Sequence, residues 1–270
     1  MSRREFFFKK LIRSSLFIHL LGVTTGKSKA EAAQFISRLF APREAGHLGV
    51  ALAALGTRKR LNIIQVGAND GVTGDPIYKD VLKYADRALL IEPQEWLIED
   101  LKSAYKDFSG DLIVENIAIG SRAGGVELHI LDEALWPEYI SKVGRHPSPI
   151  FSADRDQVIK RVKPRLGLSD SDAQKAVKAV LVPSAPLDEI IEQHDFSNFD
   201  FLQIDCEGWD FKVIESLGKY RPPIINFESF NLSAADWRGF QEWARSEGYG
   251  YICGNSDTLA IKGARGGVFL

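Results

Sequence analysis

Along most of this chain, short apolar runs alternate with stretches of helical periodicity, and no other feature constrains the fold as much. "LNIIQV", "RALLIEP", "DLIVENIAIG", "FDFLQID" and "PPIINFES" read as strands. Between them, "DPIYKDVLKYA", "EWLIEDLKSAYKDF", "APLDEIIEQH", "WDFKVIESLG" and "SAADWRGFQEWARSEG" space their apolar residues as amphipathic helices do. Such alternation predicts an α/β protein with a doubly wound, Rossmann-like, mostly parallel sheet and helices on both faces. "FDFLQID" is nearly all apolar, which suits a strand covered on both faces at the sheet's centre. The closing pair "YGYIC" and "DTLAIKG" predicts an antiparallel edge.

One interval breaks the rhythm. From about 132 to 183 the chain gathers Trp, Pro, His and Arg in "WPEYISKVGRHPSPIFSADRD" and then runs into "QVIKRVKPRLGLSDSDAQKAVKAV", a charged helical pattern. An insertion of that length in a compact fold is expected to serve as a lid or substrate loop. The 270 residues therefore divide into an N-terminal helical extension over 1–58 and one domain over 59–270 that carries the insertion.

The amino terminus, "MSRREFFFKKLIRSSLFIHLLGV", is basic and apolar. It leaves three readings open: a helix packed on the domain, an amphipathic helix on an anionic membrane surface, and an export signal. No run there reaches the length a spanning helix needs. A net charge of -2 gives no footprint for nucleic acid. The two cysteines, Cys206 and Cys253, have no metal-ligand spacing and cannot form a disulfide framework, so free thiols of a reducing compartment and no metal site are expected.

The first strand ends in "VGANDGVTGDP". In open α/β sheets, ligands bind beyond the carboxyl ends of the strands, so this loop is the first candidate site. Gly67 permits a sharp turn and Gly71 a close backbone approach. Glu92 ends the second strand, at the spacing where a carboxylate takes the hydroxyls of an adenosine ribose. The dinucleotide fingerprint G-x-G-x-x-G fails here, because Asn69 and Val72 stand at its second and third glycine positions. Asp70 and Asp75 would also repel a pyrophosphate at the mouth of the next helix. A cationic cofactor without phosphate, such as S-adenosylmethionine, suits these acids better.

A second constellation follows the central strand in "LQIDCEGWDF". Asp205 and Glu207 sit one residue apart at the sheet's switch region, and Glu228 ends the neighbouring strand. Crowded carboxylates raise one another's pKa and make a usable general base. They could instead bind a divalent metal, and helix capping is the plain alternative for either of the first two. His146, in the lid, is a rival base.

Together "VGANDG", "IEP", "NIAIG" and "LQIDCEGWDFKVIESL" resemble the FkbM family of S-adenosylmethionine-dependent methyltransferases, over roughly 61–262. The resemblance implies a Rossmann-like methyltransferase sheet. It implies cofactor contacts at Gly67, Ala68, Asn69, Asp70, Gly71, Glu92, Asn116 and Ala118. It implies catalytic roles for Asp205, Glu207 and Glu228. "SPIFSADRD" resembles the family's segment over the substrate mouth and implicates Ser152 and Arg155; Trp209 stands where a small residue is usual and could offer a stacking face. Gln203 replaces a usual lysine beside Asp205, and motivates an alternative in which a methyltransferase-like module binds cofactor without turnover. The family implies O-methylation of a sugar, glycan or glycolipid hydroxyl. The expected partner is thus a small-molecule or glycan acceptor, with no nucleic acid. A cofactor made inside the cell implies a cytoplasmic protein, with the N-terminal segment a candidate for peripheral contact at the inner membrane face.

Overall fold

The computed structural model of the protein describes residues 60–254, 256–263 and, by backbone alone, 267–269. The expected N-terminal extension over 1–58, with its three readings, lies outside the described residues. In chain order, β1 (Leu61–Val66), α1 (Tyr78–Tyr84), β2 (Ala85–Ile91), α2 (Ile98–Ala104) and β3 (Asp111–Glu115) open the fold. Then come β4 (Ala118–Ile119), β5 (Gly124–Leu131), α3 (Trp136–Val143), α4 (Arg155–Leu166), α5 (Asp170–Lys175) and β6 (Val177–Ala185). The chain continues through α6 (Leu187–Gln193), β7 (Phe201–Ile204), α7 (Asp210–Glu215), β8 (Ile224–Glu228) and α8 (Ala234–Ser246). It closes on β9 (Tyr249–Cys253), β10 (Asp257–Lys262) and β11 (Gly267–Phe269).

The main sheet has eight strands in the order β3-β2-β1-β7-β8-β10-β9-β11. Every pairing from β3 to β8 is parallel. The strand order reverses beside β1, which makes the carboxyl edge of β1 and β7 the switch point where such sheets hold ligands. The antiparallel edge is present, with a finer arrangement than the sequence indicates. β10 is inserted between β8 and β9, antiparallel to both.

Both faces of the sheet are covered, which is why its strands read as near-continuous apolar runs. Ile64, Val66, Leu202, Ile204, Ile225 and Phe227 pack with Ile190, Phe211 and Phe240 on one face. Leu61, Ile63, Phe201 and Ile224 pack with Ile77, Val81 and Leu101 on the other. Each such side chain, fully withdrawn from water, contributes about 1.5–3 kcal/mol relative to exposure.

The sequence-expected third strand divides in two. Its first half is β3; its second half, β4, leaves the main sheet and pairs with β6 in a three-stranded sheet completed by β5. The charged run after Gln157 divides as well. α4 ends at Leu166 because Gly167 takes the left-handed conformation, φ 71°. After α5, residues from Val177 onward form β6 and pair along the whole of β5. These elements share an apolar cluster in which Leu128, Ile130, Tyr139, Val158, Val162 and Val182 meet.

Candidate active site

The residues Glu115, Ile91, Val66, Ile204 and Phe227 form one register row across β3, β2, β1, β7 and β8. The next residue on each chain segment therefore stands at the same carboxyl edge: Asn116, Glu92, Gly67, Asp205 and Glu228. Residues up to 161 positions apart in the chain are brought to one line by strand pairing alone.

The loops that leave this edge approach closely. Gly67 has φ +80°, and a Cβ there would collide with the Asp205 carbonyl oxygen, so only glycine fits. Its N–H and that of Ala68 donate to the Ile91 carbonyl at 2.9 and 3.2 Å. Asn69 and Glu207 hold left-handed conformations, φ 50° and 53°, which non-glycine residues adopt at some cost. Glu92, 2% exposed, is clamped: its Oε2 accepts from the Asn69 N–H at 2.8 Å and its Oε1 from the Gln94 N–H at 2.9 Å. Burial outweighs those two bonds and pushes its carboxyl up to about 7.

These loops and the three-stranded sheet enclose a cavity of about 500 Å³, within the range of small-molecule and cofactor sites. Gly67, Ala68, Asn69, Glu92, Ala118, Ser152, Asp205, Glu207, Trp209 and Glu228 all line it. Asp205 is pushed up to about 8, by burial first and then by the charges of Glu207, Glu228, Asp210 and Asp257. Glu207 is also raised by burial, while Arg161 pulls it back through an ion pair at 2.5 Å. The Asn231 amide donates to both Glu207 Oε2, at 3.2 Å, and Glu228 Oε2, at 2.7 Å, so one nitrogen holds these two carboxylates together. Ser152 Oγ donates to the Glu207 carbonyl at 3.3 Å and ties the segment between α3 and α4, bridged to β5 at His129, to the loop after β7.

Beneath the site, Asp210 is fully buried and acts on the backbone. Its Oδ1 accepts from Cys206 and Glu228 N–H groups, and its Oδ2 from the Gly208 N–H. One carboxylate thus shapes the Asp205–Gly208 turn and joins it to β8. Two residues of the cavity wall, Gln65 and Gln94, each hold a buried Oε1 without a partner among the described residues. Gln65 is 1% exposed and spends its amide nitrogen on Asp75 Oδ2 at 2.9 Å. Buried acceptors of this kind are costly unless a ligand or water supplies the donor.

Four sequence-implicated residues are not on the cavity wall. Asp70 forms a turn, its Oδ1 accepting from Val72 and Thr73 N–H groups. The space above Gly71 is filled by Leu101 and Tyr105. Asn116 donates to the Glu92 carbonyl at 2.9 Å and so positions a wall residue. The Arg155 guanidinium is bound to the side chain and carbonyl of Gln174. His146 is likewise off the wall, its Nδ1 paired with Ser148 Oγ and its ring edge against Trp136. Asp75 does line the cavity, and its Oδ1 accepts from Ile77 and Tyr78 N–H groups ahead of α1. Asp70 and Asp75 therefore consume the N–H donors that a pyrophosphate would need.

Sequence reasoning missed Arg145, Arg161 and Arg165, which come from the insertion and line the same cavity as the acids. Arg161 and Arg165 are one helical turn apart, so their shared face was legible; which way it points was not.

The strand order, its switch point and the acid-lined edge define a Rossmann-like methyltransferase domain. The chain belongs to the FkbM methyltransferase family, whose model, the methyltransferase FkbM domain, matches residues 65–253. Among solved structures, it is similar to the methyltransferase FkbM of Methylobacillus flagellatus, at 12% identity and a TM-score of 0.45. That match covers 86% of this chain and 60% of the other, so the chain spans about three-fifths of that protein's length. It is also similar to an O-methyltransferase from Bacillus cereus solved with S-adenosylhomocysteine, at 12% identity and a TM-score of 0.40, covering 86% of this chain and 90% of that one. A methyltransferase from Geobacter sulfurreducens is similar at 9% identity and a TM-score of 0.40, covering 97% and 96%. No curated protein matches the chain significantly in sequence.

Proposed function

We propose that the protein is an S-adenosylmethionine-dependent O-methyltransferase acting on a hydroxyl of a sugar, glycan or glycolipid. The observation that carries this reading is the alignment of Gly67, Glu92, Asp205 and Glu228 on one edge of an acid-lined cavity. The residues present fit the cofactor. Glu92 is fixed by two N–H groups with further lone pairs to offer a ribose, and the wall residues Gln65 and Gln94 each keep a buried unpaired acceptor. The surrounding carboxylates favour a cation, and the donors of the glycine loop are closed to phosphate.

Bound there, S-adenosylmethionine supplies an electrophilic methyl group on a sulfonium. The chain's own contribution is alignment and proton handling. Asp205, ionised, takes the proton of the acceptor hydroxyl; its raised pKa makes it a stronger base than an ordinary aspartate. Glu207 and Glu228, joined through Asn231, orient the hydroxyl. Trp209 on the wall and Phe230, 76% exposed at the mouth, offer ring faces to a sugar. Gln203 does not reach the cavity wall: its amide is spent on the Ile204 carbonyl and its oxygen on Asn226.

Calorimetric titration with S-adenosylmethionine, with NAD alongside, tests the reading. Micromolar binding of the methyl donor that is lost in Glu92→Ala is expected; binding of NAD instead would overturn it. Among the described residues no helix is long and apolar enough to cross a membrane. We keep as part of the proposal a cytoplasmic enzyme whose basic N-terminal segment touches the inner membrane face. Deleting residues 1–27 is expected to lower partition onto anionic vesicles, and unchanged partition removes that element.

A further inference from the structure

The cavity is electrostatically two-sided. Its floor carries Glu92, Asp205, Glu207 and Glu228, while the insertion contributes Arg145, Arg161 and Arg165. Of the arginines, only Arg161 has a carboxylate partner, Glu207. Arg165 spends one nitrogen on the Arg161 carbonyl at 2.7 Å and, like Arg145, forms no ion pair among the described residues. Arg145 is exposed at the rim and Arg165 is half-buried, and both line the same half-open cavity, where each guanidinium offers five N–H donors in a planar fork matched to oxyanions.

Position separates these arginines from the cofactor elements. Gly67, Asn69 and Glu92 lie just beyond the ends of β1 and β2. Arg161 is anchored instead to Glu207, which Asn231 ties to the end of β8. Arg165 is one turn further along the same helix. The charge of Arg145, from the loop after α3, also acts on Glu207. The positive wall therefore belongs to the acceptor side, over the carboxylates that would receive the hydroxyl.

We infer that the acceptor carries an oxyanion, a phosphate or a carboxylate, and that Arg145 and Arg165 hold it while its hydroxyl lies against Asp205. A neutral acceptor would leave the donor forks of Arg145 and Arg165 without an oxyanion to bind. An anionic one supplies it and is steered to the mouth from solution. The inference rests on the methyltransferase reading, since it takes the acid side as the place of reaction.

The test uses inorganic phosphate as probe, titrated calorimetrically into the full-length protein with and without saturating S-adenosylhomocysteine, at constant ionic strength. Saturable phosphate binding is expected in both conditions. Arg145→Gln/Arg165→Gln should weaken it about tenfold or more, the scale of charge-assisted hydrogen bonds. Lys160→Gln, exposed on the same helix and off the cavity wall, should leave it unchanged. Acetate in a parallel titration separates a carboxylate preference from a phosphate one. Absence of saturable binding of either anion, or binding that the double variant retains, overturns the inference. So does phosphate excluded by S-adenosylhomocysteine together with a tenfold loss of S-adenosylhomocysteine affinity in the double variant, because the arginines would then serve the cofactor's own carboxylate. Failure of S-adenosylhomocysteine to bind the wild-type protein instead overturns the methyltransferase reading, whatever phosphate does.

Discussion

At the scale of residues, the site is governed by carboxylates kept from water. Glu92 at about 7 and Asp205 at about 8 are partly or mostly protonated at neutral pH when no ligand is bound. A sulfonium brought beside them favours the ionised form and lowers both values. Binding of S-adenosylmethionine at pH 7.0 is therefore expected to release protons, and its affinity to rise from pH 6 to pH 8. S-adenosylhomocysteine, whose sulfur is neutral, should release fewer. Titrations in buffers of different ionisation enthalpy measure this directly, and Asp205→Asn should remove most of the difference between the two ligands. Equal proton release by both would show that no carboxylate senses the sulfonium. The acids themselves were legible in the sequence, since Asp205, Glu207 and Glu228 fall at strand ends. Their division of labour was not. Asp70 and Asp75 look equivalent as loop acids, yet one only makes a turn while the other also reaches the cavity, because side-chain direction depends on a fold that neighbours in sequence do not specify.

At the scale of elements, the main sheet was readable because its strands are buried on both faces and its helices are amphipathic; hydrophobic period carries that information. The insertion was less readable. "KAVKAV" has the spacing of a helix, but Val177–Ala185 is a strand because β5 lies beside it with free backbone donors and acceptors. Local propensity is a weak preference that a complete ladder of hydrogen bonds overrides. α4 matters most here, since it carries Arg161 and Arg165 to the cavity. Its amino end is capped by Asp154, whose Oδ1 accepts from the Asp156 and Gln157 N–H groups. Asp154→Ala is expected to lower stability by about 1 kcal/mol, read as a shift in denaturant midpoint. S-adenosylhomocysteine affinity should change less than twofold, because the cofactor elements are in the loops after β1 and β2.

For the whole molecule, the same buried carboxylates set how stability responds to pH. Asp205, Glu92 and Asp210 all titrate well above their unfolded values, to about 8, 7 and 7. The folded state then binds protons that the unfolded state has already released, so stability falls as pH rises through this range. The contribution is complete below about pH 4 and is lost by the time pH has passed about 8. Melting temperatures of the ligand-free protein are expected to decline from pH 5.5 to pH 8.5. Asp205→Asn should flatten that decline, and a melting temperature that rises across the window would contradict the assignment. Bound S-adenosylmethionine should offset the decline, because its cation stabilises the ionised groups and binds only the folded state.

The sequence by itself determined the α/β class, the succession of strands and helices in the sheet, the family and the acids at the strand ends. Each of these follows from patterns a few residues long: apolar period, turn chemistry and motif spacing. Only the tertiary structure decided that β4, β5 and β6 form a second sheet, that β10 is inserted between β8 and β9, and that three arginines from the insertion face the acidic edge. Those outcomes depend on which surfaces meet across tens of residues. Strand pairing and shared burial fix that meeting, and no local pattern records it.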